Sequence, residues 1–305
     1  MSGFCHPQVL LLGNGLNRAY DGYNWAELVD KIHSNHRVAR ASIQHIPFPM
    51  QIVVATSDRV DHTIKEHREA FYGLSNIEQI QAPIEQLLSI PFDHILTTNY
   101  SYEVERVADK RVKVDGVFCK KLQACNHPVT KAENKYLLHT YNRVRFQGHE
   151  HRIWHIHGEA RKPDSVILGH YYYGILLGKY QELLGKRGNK QAFREKAGEP
   201  PVISSWLDAF IMGDVYVLGF GYDFSEMDLW WLLNRKQREK ATTGKLYYYT
   251  HKQDDAAKLA LLRAYGAETV DLGYDTEPED YRLFYQSAIE DIGKKVLRQR
   301  PGSRL

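Results

Sequence analysis

Val9-Leu10-Leu11-Leu12-Gly13-Asn14-Gly15-Leu16-Asn17 is an apolar run that breaks directly into a glycine turn; Arg18 follows, and the chain turns polar around Asp21 to Asn24. A short apolar run closed by Gly-x-Gly and leading into a helix has the form of the first strand of a doubly wound α/β sheet. In that form the glycines let the backbone approach a diphosphate, and the amides of the turn point at it. Asn17 suits a helix N-cap. Arg18 stands where the third glycine of a dinucleotide fingerprint belongs, so ordinary turn chemistry explains the stretch about as well as a phosphate site does.

Three further strand-to-turn segments repeat the pattern. Phe92 to Ser101 carries Ile95 and Leu96 followed by the polar run Thr97-Thr98-Asn99-Tyr100-Ser101, with a helix from Glu103. Hydroxyls and a carboxamide at a strand end offer neutral hydrogen-bonding groups to a ligand, though the same residues also suit a capping turn. Ile153-Trp154-His155-Ile156-His157-Gly158-Glu159 reads as a strand ending on a glycine, with Ile153, His155 and His157 on one face. Asp214 to Asp223 reads as a buried strand with a second glycine turn, Gly219-Phe220-Gly221, before a helix that begins at Ser225 and Glu226 and carries Asp228.

Between these segments the chain is helical or irregular. Trp25 to about Leu88 has mostly helical spacing, interrupted by Pro47 and Pro49, and is longer than a simple crossover. Arg111 to Gln147 shows no clear periodicity, and Lys186 to Pro201 reads as a mobile loop. The expected architecture is α/β: a Rossmann-like, doubly wound, mostly parallel sheet in one domain over residues 1–305. Its insertions are a helical insertion or cap over 22–90, a basic insertion over 109–150 and a mobile basic loop over 179–200.

Composition bounds the function. The chain has 305 residues, of which 43% are hydrophobic, enough for a full core. A formal net charge of +3 is too small to argue for direct nucleic-acid binding, and the two basic stretches read first as solvated faces. No apolar run approaches the roughly 20 residues of a membrane span, and Met1 to Gln8 lacks the pattern of a secretion signal. Cys5, Cys119 and Cys125 have no paired spacing, which argues against a disulfide framework or a cysteine-rich zinc module and for a reducing cytoplasm. No metal is expected.

The order Gly-Asn-Gly-Leu-Asn at 13–17, Thr-Thr-Asn-Tyr-Ser at 97–101, His-Gly at 157–158 and Gly-Phe-Gly-Tyr ahead of Asp228 resembles the sirtuin-like fold, particularly the bacterial sirtuin-like NAD hydrolases of antiphage defence, over about Val9 to Thr250. The resemblance implies that NAD is the substrate and that Asn99 and His157 are catalytic. It implies NAD contacts from Gly13, Asn14, Gly15, Asn17, Thr98, Ser101, Gly158, Gly219, Phe220, Gly221 and Asp228. It also implies an effector held inactive until a trigger acts, in a homo-oligomer or with a partner subunit of a defence complex. Two departures matter. The four-cysteine zinc module of sirtuin deacylases is missing, and Ser101 stands where their asparagine motif ends in aspartate. Both favour NAD cleavage over deacylation; Ser101, together with Arg18 in place of the third glycine, leaves a catalytically silent nucleotide-binding subunit as the alternative.

The chemistry is consistent with that implication. The nicotinamide of NAD is already a cationic leaving group, and the barrier lies in an oxocarbenium-like ribose. A neutral His157 can accept a proton from water or a ribose hydroxyl, and Asn99 can hold either without adding charge. His155, expected on the same strand face, is the competing imidazole.

Overall fold

A computed structural model describes residues 5–20, 22, 24–33, 37–57, 59–71, 77–109, 123–126, 130–186, 202–240, 243–275 and 277–299. Much of the two basic stretches, at 110–122, 127–129 and 187–201, lies outside the described residues.

Eight strands form one sheet: β1 Gln8–Leu12, β2 His94–Thr97, β3 Gln123–Cys125, β4 Thr140–Phe146, β5 His149–His155, β6 Asp214–Leu218, β7 Leu246–Thr250 and β8 Ala267–Asp271, in the spatial order β3-β4-β5-β2-β1-β6-β7-β8. β5, β2, β1, β6, β7 and β8 run parallel, while β4 pairs antiparallel with both β3 and β5. Numbered by chain order, the parallel strands lie 3-2-1-4-5-6, the doubly wound arrangement of the Rossmann fold. The order reverses between β1 and β6, and ligands of such sheets bind outside the carboxyl ends of the strands at that reversal.

Strand alternation builds two cores. Val9, Leu11, Leu96, Trp154, Val215 and Val217 face one layer, with the helices His170–Lys186, Trp206–Met212 and Met227–Arg238. Leu10, Leu12, Ile95, Ile153, Tyr216 and Leu218 face the other, with Ile77–Ser89, Glu103–Ala108 and Pro278–Gln299. The central strands are apolar on both faces because helices cover both, as a parallel sheet requires. A third cluster joins the helices Trp25–Ile32, Phe48–Ala55 and Val60–Glu66 to Tyr100, Tyr102, Ala160, Val166 and Leu168, which lie in the loops beyond β2 and β5. Among the described residues no helix is long and apolar enough to cross a membrane.

Three local expectations are corrected. The stretch 111–147 is not irregular throughout: β3, the helix Lys131–Tyr136 and β4 lie in it, and β4 turns into β5 through Gln147 and Gly148, both at positive φ. That hairpin turn was the missed signal, since two residues with positive φ match the twist of antiparallel strands. Asn14, not Asn17, is the N-cap of the helix Gly15–Ala19; Asn17 lies inside it and donates from Nδ2 to Asn14 Oδ1 at 3.1 Å. The helix after β6 begins at Met227, with Glu226 at its N-cap position.

Candidate active site

The two glycine turns at the reversal point pack on each other. Gly13 N–H donates to Leu218 O at 2.9 Å and Gly15 N–H to Gly219 O at 2.8 Å. A Cβ on Gly13 would stand 2.4 Å from Gly219 O, and one on Gly15 would stand 2.2 Å from Tyr285 Oη and 2.8 Å from Gly219 Cα. These two glycines are therefore demanded by turn-on-turn packing, not by close approach of a ligand. Gly221 differs: among the described residues a Cβ there meets nothing within 4 Å.

A cleft of about 410 Å³ opens at this point, walled by Asn14, Gly15, Thr98, Gly219, Phe220, Gly221 and Glu226. Trp25 and Phe48, whose tilted rings meet with centroids 5.4 Å apart, close one side. Tyr281, Phe284 and Tyr285 of the last helix form another wall, and Arg18 and Lys258 supply cations. Gly13, Asn17, Asn99, Ser101, His157, Gly158 and Asp228 do not line the cleft and are buried.

The strand reading of the histidines is corrected. β5 ends at His155, and Ile156 and His157 form the turn beyond it, so the two imidazoles do not share a strand face. Gly158, at φ +93°, turns the chain where a Cβ would fall 2.1 Å from Ser165 O, so it is needed for the fold of this loop. His155 is closed on both sides: its Nδ1 donates to Asn99 O at 2.9 Å and its Nε2 bonds Glu105 Oε1 at 2.9 Å. Burial opposes the His155 cation, but the Glu105 carboxylate overrides it, with help from Glu159, and its pKa is pushed up to about 9. His155 is thus a buried ionic strut between β5 and the helix Glu103–Ala108, not a free base.

His157 faces the other way. Its Nε2 bonds Asp228 Oδ2 at 3.0 Å, and the Tyr180 hydroxyl donates to the same oxygen at 3.1 Å. Its ring and that of Tyr173 meet in a T-shaped contact with centroids 5.3 Å apart. Burial disfavours the cation, but Asp228 and then Glu226 outweigh it and hold the His157 pKa above its usual value. At neutral pH the resting imidazole therefore keeps more of its proton than the neutral base the sequence suggested.

Asn99 lies two residues beyond Thr97, and His157 two beyond His155, on strands whose Thr97 and His155 are in register. Asn99 is fixed through its backbone: its N–H donates to Thr97 Oγ1 at 3.1 Å and its carbonyl accepts from His155. Its side-chain oxygen is buried with no partner among the described residues, as are Asp228 Oδ1, Glu226 Oε2 and the Tyr222 hydroxyl. Unpaired buried polar atoms are costly, and four of them beyond the carboxyl ends of β2 and β6 fit a site completed by a polar ligand. Ser101 is engaged, donating to Glu103 Oε2 at 2.5 Å.

Glu226 is the residue the sequence reading missed as a site group. It is half-buried on the cleft wall, and one ligand-type atom each from His157, Glu226 and Asp228 lie within 4.8 Å of one another. Burial raises the Glu226 carboxyl to about 7, with Asp228 adding and His157 opposing. Its spacing from Asp228 in Ser225-Glu226-Met227-Asp228 was the available signal, obscured because both read as first-turn acids of a helix. The donor types would suit a divalent cation, but the His157–Asp228 hydrogen bond engages these two groups with each other.

A family model described as SIR2-like domain matches residues 93–270, which contain β2 to β7 and His157, Glu226 and Asp228. No curated protein matches the chain.

Proposed function

The chain belongs to the SIR2-like domain family, and on that premise we propose that it is an NAD+ glycohydrolase, converting NAD+ and water to nicotinamide and ADP-ribose. Membership supports an NAD-related activity. The observation that carries the finer reading is the cleft at the β1–β6 reversal, bounded by Gly15 and Gly219, with Asn99 and His157 on the adjoining ends of β2 and β5. Gly221, whose backbone is open on the cleft wall, and Arg18 suit the diphosphate, the aromatic wall suits the adenosine half, and the unpartnered Asn99 Oδ1 suits the ribose or the attacking water. The absence of a four-cysteine module supports hydrolysis over deacylation.

The helical segment 22–90 serves in this reading as a cap, since Trp25 and Phe48 already close one side of the cleft. Activity as a triggered effector of antiphage defence, with a homo-oligomeric or partner-bound form in the cytoplasm, belongs to the same proposal and rests on the sequence resemblance. One observation favours a second reading, a catalytically silent nucleotide-binding subunit: Asn99 and His157 are buried and do not line the cleft. Purified protein incubated with NAD, with and without candidate activators, and followed for nicotinamide by chromatography separates the two. Release supports the hydrolase; tight calorimetric binding without release supports the silent subunit.

A further inference from the structure

We propose that Glu226 is a catalytic residue, the carboxylate that takes the proton from the attacking water, and that Asp228 is a positioning residue acting through His157; this rests on the proposed NAD cleavage. Asn99 and His157 sit behind the cleft surface, while Glu226 alone of the clustered His157, Glu226 and Asp228 lines it. Glu226 holds the N-cap position of Met227–Arg238 without capping the helix with its side chain. One oxygen accepts from Tyr173. The other, Oε2, has no partner among the described residues. A carboxylate that neither caps its helix nor fills its hydrogen bonds, on a residue that lines the cleft, has a buried oxygen with spare acceptor capacity for a water entering from the cleft.

The neighbours set its proton affinity. His157 and Asp228 face it from the β5 turn and from its own helix, Tyr173 from His170–Lys186, and Asp223 from the β6 loop. Tyr100, Tyr180 and Tyr222 surround the same carboxylates, buried and protonated. With a pKa near 7, Glu226 is ionised enough to accept a proton and basic enough to hold it, the optimum for a general base at neutral pH. In the step, the water oxygen bonds to the ribose carbon as the carbon–nitrogen bond to nicotinamide breaks. The bonding pair leaves on the nicotinamide nitrogen, neutralising its positive charge, and the water proton passes to Glu226 and then to solvent. His157, whose proton Asp228 favours, keeps Glu226 from shifting further up.

The test is nicotinamide release against pH for the full chain, for Glu226→Gln and for Glu226→Asp, with NAD binding by calorimetry and circular dichroism on each, and with a chelator arm on wild type. The expected result is a kcat loss of about 100-fold or more in Glu226→Gln, with KM nearly unchanged and the acidic limb of the pH profile gone. Glu226→Asp should keep that limb at reduced rate. Glu226→Gln with a wild-type kcat and acidic limb overturns the inference while leaving NAD cleavage standing. Activity lost to the chelator and restored by a divalent cation assigns the cluster to a metal and also overturns it. Wild type that binds NAD but never releases nicotinamide overturns both this inference and the reading it rests on. Should Glu226→Gln lose its fold, Glu226→Asp decides alone: an unchanged rate and pH profile count against the base, and a slowed rate with the limb retained supports it.

Discussion

His157 Nε2 and Asp228 Oδ2 stand 3.0 Å apart across 71 positions of sequence, both buried, with the Tyr180 hydroxyl on the same oxygen. This bond ties the loop beyond β5 to the helix beyond β6, across β2 and β1, and fixes the imidazole beside the reversal point of the sheet.

Replacing Asp228 with Asn keeps the shape and removes the charge. Burial then lowers the His157 pKa without the main carboxylate that opposes it. The His157 imidazole should titrate at lower pH by NMR, and NAD hydrolysis should fall by roughly 100-fold while the circular dichroism spectrum is retained. An unchanged His157 titration removes Asp228 from the positioning role.

His155 gives a prediction about stability. Its folded pKa, about 9, lies above the unfolded value near 6.5, so its ion pair with Glu105 stabilises fully below pH 6.5 and progressively less up to pH 9. His155→Gln should be less stable than wild type at pH 6, and the gap in denaturation midpoint should narrow as pH rises to 9. A gap constant over that window means that the Glu105 pair does not set the proton on His155.

The glycine turns divide cleanly. Gly13→Ala places a methyl 2.4 Å from Gly219 O and should destabilise by about 1–3 kcal/mol. Gly221→Ala meets nothing within 4 Å among the described residues and should leave thermal stability near wild type while weakening NAD binding by calorimetry. Equal losses of stability in both variants contradict the packing reason given for Gly13.

The sheet was legible because β1, β2, β5 and β6 each end in a glycine or hydroxyl turn, and Val9 to Leu12 and Val215 to Leu218 are apolar on both faces, as buried parallel strands are. β4 was not legible: exposed Arg143 and Arg145 alternate with Val144 and Phe146, but Thr140, Tyr141 and Asn142 ahead of them are all buried, so the alternation covers only half of the strand. His157 and Asp228 were legible as residues but not as a pair, because nothing local links positions 71 apart. The separation of His155 from His157 was missed because period-two alternation assumes a strand that continues, and this one stops at His155. Glu226 was hidden by the ordinary expectation that acids open helices.

The most direct measurement is nicotinamide release from NAD by wild type, His157→Ala and Asn99→Ala at equal NAD occupancy, set by calorimetry. Hydrolysis at the β1–β6 reversal requires release by wild type and a drop of about 100-fold or more in each variant. Release that persists undiminished in His157→Ala contradicts it.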